Sequence, residues 1–227
     1  VQCLSINMAG PEMPDLVPAL PVLLAFALAS AILAITPGPD MALQLSRTVN
    51  YGRAHGLLTM AGAMSGIAVH TTLVALGISV LIIAAPTLFW ALKIAGAIYL
   101  LWLAYQAIVN GGGLKIAARA KRPPTLKESY VSGIGINLLN PKVVLFFVTF
   151  LPQFVDRQDA DAPGKLFFLG AEFILVSIPF GVLTVIAADR VARVLTGSKW
   201  VQRALNWGFA GVFTSFAGVI LTAQARH

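Results

Sequence analysis

The stretch that decides the fold is Gly133–Asp156, GIGINLLNPKVVLFFVTFLPQFVD, in which Asn140-Pro141-Lys142 interrupts an apolar run. A second interruption, ITPGPDM at Ile35–Met41, ends an earlier apolar run of similar length. Proline removes a backbone donor and frees carbonyls, so such breaks are tolerated at membrane depth only where they face protein or a water-filled cavity. Breaks at corresponding places in two halves are typical of secondary transporters, although a pair of packing kinks would leave the same pattern.

The composition is that of an integral membrane protein. Hydrophobic residues make up 58% of the 227 residues and charged residues only 11%, which does not fit a soluble domain. The net charge of +7 comes from basic residues in short loops, so we attribute it to membrane topology and expect no nucleic-acid partner. Cys3 is the single cysteine and precedes the first span, which excludes a disulfide framework and a CxxC redox pair.

Six apolar segments are long enough for a transmembrane helix, which needs about 20 residues, and the second, at 28 residues, is longer than a straight span requires, so we expect it to tilt or bend. They predict an all-α, polytopic membrane fold with spans at 16–36, 57–84, 88–109, 131–151, 166–188 and 206–223. We interpret 16–36 as a retained span and not a signal peptide, because acidic residues precede it and a basic segment does not.

Lysine and arginine are distributed unevenly between the predicted loops. The loops after spans one, three and five carry 11 of them and the opposite side carries 3, which predicts that the first set is cytoplasmic and that both termini are extracytoplasmic. The chain then forms one transporter domain, with a first half at 16–109, a basic cytoplasmic loop at 110–130 and a second half at 131–223. Three spans per half predict two inverted halves, with spans one and four broken at Pro37–Pro39 and Pro141.

Ionisable residues in or next to the spans are functional candidates by default, because a charge at the bilayer centre costs at least ~2.5 kcal/mol. They are Asp40, His70, Lys93, Lys142 and Glu172. Lys93 and Glu172 lie at matching depths, which favours a structural ion pair. Imidazole titrates near neutral pH and suits a proton relay, but a neutral histidine hydrogen-bonded between helices is the commoner outcome for His70.

Asn140, Pro141 and Lys142 form the most specific candidate substrate site. Asn is a preferred N-cap and Pro a preferred first helical residue, so a half-helix should begin here with free backbone N–H groups and its positive dipole end exposed. Such a terminus attracts an anion, and the ammonium group of Lys142 would reinforce it.

The other break places Asp40 directly after Pro37, Gly38 and Pro39, where its carboxylate would meet an ammonium group. Together the two breaks would suit a zwitterion. The structural alternative is that Asn140 and Asp40 only cap their helices and that Lys142 pairs with Glu172.

The sequence resembles the LysE/RhtB family of bacterial amino-acid exporters from about Leu16 to Leu221. The resemblance rests on four phrases in the same order and separation, ITPGPDM, NYGRAHGLLTMAGAMSGIAVH, LKIAGAIYLLWLAYQA and NLLNPKVVLFFVTFLPQFV. The matching positions are Pro37, Gly38, Pro39, Gly52, Gly56, Gly62, Gly66, Asn140, Pro141 and Lys142.

The resemblance implies a six-helix protein of the bacterial inner membrane that exports amino acids or close derivatives in exchange for protons. The implied substrates include lysine, arginine, threonine, homoserine and homoserine lactone. We favour neutral zwitterions, because the proposed site contains both Lys142 and Asp40. The candidates for proton coupling are Asp40, His70 and Glu172.

Other functional classes have less support in the sequence. It contains no P-loop, HExxH or GxSxG motif, so we expect neither ATP hydrolysis nor an intramembrane enzyme, and no cofactor. One histidine and no cysteine in the spans are too few for a transition-metal cage. Export of another small metabolite or cation and a non-transporting structural subunit remain alternatives. The GxxxG pair Gly62 and Gly66 would serve helix packing within the chain or in a homo-oligomer.

Overall fold

The computed structural model describes residues 16–84, 94, 98, 101–102, 104–105, 108–109, 122–156, 159 and 161–222. All regular elements within these ranges are helical, which confirms the all-α prediction. The predicted third span, 88–109, lies mostly outside the described residues, as does Lys93. The pairing of Lys93 with Glu172 therefore stays a prediction.

The first broken segment consists of α1 (Leu20–Ile35) and α2 (Pro39–Tyr51), which meet at 52°. Helix α1 ends at Ile35, two residues before Pro37, because proline has no N–H group to continue the backbone hydrogen bonds of the helix. Helix α2 begins with Pro39 in its first turn, a position that needs no N–H donor. It ends at Gly52, whose φ of 95° favours glycine, and α3 (Arg53–Ala84) follows at once.

The second broken segment begins with α4 (Leu126–Leu138), whose N-terminus carries a capping box between Thr125 and Glu128. After the break, α5 (Pro141–Leu145) continues as a π-helical turn at Phe146–Phe150 and a 3₁₀ turn at Leu151–Phe154. The two parts also meet at 52°. Both breaks predicted from proline are therefore present.

Three further helices complete the described fold, namely α6 (Ala162–Ile186), α7 (Ala188–Gly197) and α8 (Lys199–Thr222). Two 25-residue helical segments, Arg53–Gly77 and Ala162–Ile186, are each long and apolar enough to cross a membrane. Counting each bent pair as one span raises the number within the described residues to four. Large apolar side chains such as Leu24 and Leu28 are more than 60% exposed, as expected for lipid-facing positions.

Helices α3 and α4 pack closely through their glycines. Gly62 faces the backbone carbonyl of Tyr130, Gly66 faces the side chain of Asn137, and Gly133 faces the backbone carbonyl of Thr59. A side chain at any of these positions would collide with the facing helix. The GxxxG pair therefore serves packing within the chain, and this packing fixes α4, with its break, against α3.

Candidate functional site

The two breaks meet, and Asp40 lies at the meeting point. One carboxylate oxygen, Oδ2, accepts hydrogen bonds from Asn137 Nδ2 at 3.0 Å and from Asn140 Nδ2 at 2.9 Å. These amides lie on either side of the second break, about a hundred residues further along the chain. Asp40 does not cap its own helix, because Gly38 occupies the N-cap of α2 and no side-chain cap is made there.

Lys142 makes the reverse connection from the second break to the first. Its Nζ donates hydrogen bonds to the backbone carbonyls of Leu33 at 3.1 Å and Thr36 at 2.8 Å, at the C-terminal end of α1. A cation at this end of a helix is favoured by the dipole and satisfies carbonyls that the break leaves free. Lys142 does not pair with Glu172, so that alternative is not observed.

Gly38 allows this approach of the lysine. A Cβ atom placed on Gly38 would lie 3.2 Å from Lys142 Nζ and 3.4 Å from Cε. A larger residue between the two prolines would therefore press on the ammonium group. The Pro-Gly-Pro motif thus combines two helix-breaking residues with the space that Lys142 needs.

The N-terminus of α5 differs from the prediction in one respect. Asn140 caps the helix, since its Oδ1 accepts the Lys142 backbone N–H at 3.1 Å. The N–H groups of Val143 and Val144 both bond to the Asn140 carbonyl, and Pro141 has no N–H. The free backbone donors expected for an anion are therefore already used, because the half-helix satisfies them locally. An anion here would be bound by the Lys142 side chain.

A cavity lies between the broken segments and helices α3 and α6. Its volume is about 80 Å³, which is more than the ~10–15 Å³ that one water molecule needs. The polar residues in its wall include Asp40, Gln44, Asn137, Lys142 and Ser177, and apolar surface comes from residues such as Met41, Met60, Phe173 and Phe180.

Three buried oxygens at this cavity have no hydrogen-bond partner among the described residues, Asp40 Oδ1, Asn137 Oδ1 and Ser177 Oγ. Buried polar atoms are normally paired, so such a group invites a donor from a ligand or water. Asp40 is the only ionisable residue of the three, and the oxygen of an ionised carboxylate prefers a cationic donor such as ammonium. Asn137 Oδ1 faces Gly66 and is less accessible.

The other candidates for proton coupling occupy different places. His70 Nε2 lies 3.4 Å from the Asn137 backbone carbonyl, and the imidazole stacks on Phe147 with centroids 6.0 Å apart. Glu172 does not line the cavity, although its neighbour Phe173 does. Its Oε2 is buried without a partner in the part of the chain that the structure describes. Asp40 and His70 therefore both contact Asn137, and Glu172 lies outside the cavity lining.

Asn137 is the main site residue that the sequence interpretation missed. It is 1% exposed, donates to Asp40 and meets His70 through its backbone. The available signals were its spacing of three residues from Asn140 and the burial of an amide within an apolar run. Ser177 was missed too, as a single hydroxyl on an apolar helix. Among the described residues, no group of three or more His, Cys, Asp or Glu side chains could hold a metal ion.

These features define a multi-pass helical membrane protein with a polar cavity between two broken helices. The family model for LysE type translocators matches residues 31–224, and the chain belongs to this family. The family prediction is thereby confirmed, and it classes the protein as a transporter and not an enzyme.

Named relatives agree with this assignment. The chain is 30% identical over 203 residues to the homoserine/homoserine lactone efflux protein of Salmonella typhimurium, covering 89% of this chain and 96% of the relative. It is also 30% identical over 207 residues to the leucine efflux protein of Klebsiella pneumoniae, covering 89% and 95%. No solved structure matches the chain.

Proposed function

We propose that this chain exports amino acids or close derivatives across the bacterial inner membrane by proton antiport, with neutral substrates such as homoserine or threonine favoured over lysine or arginine. The proposal includes six spans in two inverted halves joined by the basic loop 110–130, with both termini extracytoplasmic. It is supported by the family and by relatives named for efflux of homoserine, homoserine lactone and leucine. The observation that carries it is that each break supplies a side chain that bonds to the other, beside one cavity. Asp40 from the first break accepts hydrogen bonds from Asn137 and Asn140, and Lys142 from the second donates to the Thr36 carbonyl.

In this proposal, Asp40 binds the ammonium group of the substrate through its unpartnered Oδ1. The Asn137 and Asn140 amides hold the other oxygen and so fix the direction of the carboxylate. Lys142 is available to a carboxylate because it lines the cavity and uses two of its three donors on α1. Pro37, Gly38, Pro39 and Pro141 contribute by breaking the helices at the cavity.

Proton exchange follows if substrate and proton compete for the same carboxylate. Protonation of Asp40 removes the charge that retains the ammonium group, and deprotonation restores it. His70 is the second candidate, because its ring contacts the residue that positions Asp40. Glu172 would act only by a route outside the cavity.

Alternating access also requires a barrier on the outer side. In the proposed orientation, the aromatic rings of Phe146, Phe147, Phe150 and Phe173 lie on the extracytoplasmic side of the breaks and contact one another with centroids 5.0 to 5.8 Å apart. We propose that these rings close the outer exit in the conformation described. The π-helical turn that carries three of them is the segment we expect to repack on opening.

The test is efflux of preloaded labelled amino acids from cells that express wild type, Asp40→Asn or Lys142→Ala at matched membrane levels. Exposed residues provide controls of the same charge, Asp189→Asn on α7 and Lys127→Ala on α4. We expect export by wild type and both controls, and loss of export in the two site variants. Normal export by both site variants would contradict the site, and no export of any tested amino acid by wild type would contradict the function.

A further inference from the structure

Arg47 lies on the helix that carries Asp40 and has no ion-pair partner among the described residues. Its Nη2 lies 3.4 Å from Ser132 Oγ on α4, and its guanidinium lies 5.8 Å from the centre of the Tyr51 ring. Its Nε is buried and has no acceptor in the part of the chain that the structure describes. Within the described ranges, no carboxylate lies within 4 Å of it. Glu128, the acid whose charge interacts with Arg47, is committed to Arg122 at 3.1 Å and to the Thr125 backbone at 2.6 Å.

The position of Arg47 relates it to the cavity. Gln44 on α2 and Ile136 on α4 both line the cavity wall. Arg47 and Ser132 lie one turn further along the same two helices, in the direction away from the breaks. Neither residue lines the cavity itself. In an α-helix one turn is about 5.4 Å, so the backbone of Arg47 lies about that far beyond the cavity wall, at the end that the proposed topology assigns to the cytoplasm.

We infer that Arg47 and Ser132 form a vestibule subsite that binds the carboxylate of the substrate before its ammonium group reaches Asp40. The inference rests on the proposed function and adds to it tighter binding of substrates that carry a free carboxylate. A guanidinium binds a carboxylate through two parallel N–H donors, and Nε supplies one that nothing in the described chain uses. The Ser132 hydroxyl supplies a further donor.

The subsite also orients the substrate. Asp40, Gln44 and Arg47 follow one another along one face of α2, so Asp40 and Arg47 lie about 10 Å apart along the helix axis. This is too far for one α-amino acid to span with its two charged groups. The carboxylate therefore docks at Arg47 first and then transfers toward Lys142 as the ammonium group engages Asp40.

The experiment compares pairs of compounds in which one member has a free carboxylate and the other has it esterified. Inside-out vesicles expose the cytoplasmic face of the proposed topology, and uptake gives a half-saturation concentration for homoserine and for homoserine lactone, or for leucine and leucine methyl ester. Wild type is compared with Arg47→Gln and Arg47→Lys, and Lys127→Gln serves as an exposed control. Uptake of the lactone or ester also reports whether each variant is folded.

We expect Arg47→Gln to raise the half-saturation concentration at least about tenfold for homoserine or leucine and to leave the lactone or ester unchanged. Arg47→Lys should fall between, because it keeps the charge without the two-donor geometry. Equal effects on both members of a pair, or no effect on either, would overturn the vestibule subsite and leave the exporter intact. Absence of wild-type uptake of all four compounds would overturn the proposed function and the inference with it.

Discussion

Gly66 provides a demanding test of the site, because it packs directly on Asn137. A Cβ atom at Gly66 would lie 2.6 Å from Asn137 Oδ1, 2.9 Å from Cβ and 3.0 Å from Cγ. In Gly66→Ala, either the amide or the α3–α4 contact must move, and such overpacking costs about 1 to 3 kcal/mol. If the amide moves, Asp40 loses one of its two donors. We expect a lower unfolding temperature and at least about tenfold slower transport, since 1.4 kcal/mol corresponds to tenfold.

The assay is thermal unfolding of the purified protein in detergent, combined with uptake by inside-out vesicles at matched protein levels. Two glycines on the same helix serve as controls. Gly62→Ala would collide with the Tyr130 carbonyl and destabilise the same interface without touching Asn137, whereas Gly77→Ala meets no atom of the described residues within 4 Å. Gly66→Ala should therefore have an unfolding temperature similar to that of Gly62→Ala and a lower rate of uptake. If Gly66→Ala behaves like Gly77→Ala in both measurements, the reasoning is refuted.

Three further predictions concern single side chains. Asn140→Ala removes the cap of α5 and a donor to Asp40, so the free energy of unfolding should fall by about 1 kcal/mol for the cap and further for the carboxylate, measured by denaturant unfolding; an unchanged value would argue against both contacts. Ser177→Ala removes a buried hydroxyl without a partner in the described chain, so the unfolding temperature should stay equal or rise, and a clear decrease would show that the hydroxyl is bonded. The hydrogen bond from Lys165 lowers the pKa of Asp159, so the pair stabilises the fold above the ordinary aspartate pKa and loses this effect as pH falls through the lowered value. Asp159→Asn should therefore cost less than about 1 kcal/mol at neutral pH and progressively less below about pH 4, and a difference that persisted in acid would contradict the ion pair.

The breaks could be predicted from the sequence because their cause is local. Proline at 37, 39 and 141 lacks an N–H group wherever the chain goes, and Asn140 is a preferred cap for the helix that follows it. Gly62 and Gly66 form a helix-contact motif that also indicated close packing of α3, although the sequence did not indicate which helix would pack against it.

The partners across the breaks could not be predicted, because they depend on how distant helices pack. Lys142 bonds to carbonyls of α1 more than a hundred residues away and not to Glu172. Asp40 was expected to meet a ligand or cap α2, and no local pattern revealed that two amides would hold it. Asn137 was missed for the same reason, since its spacing from Asn140 and its place in an apolar run do not show which side chains it contacts.

The central claim is that Asp40 binds the ammonium group of an exported substrate between the two breaks. The most direct measurement is equilibrium binding of labelled homoserine and leucine to the purified protein, wild type against Asp40→Asn. The substitution keeps the shape and an oxygen acceptor for the two amides but removes the charge. We predict saturable binding of at least one of the two by wild type and at least about tenfold weaker binding by the variant, with a similar unfolding temperature. Equal affinity of a correctly folded Asp40→Asn protein would contradict the account.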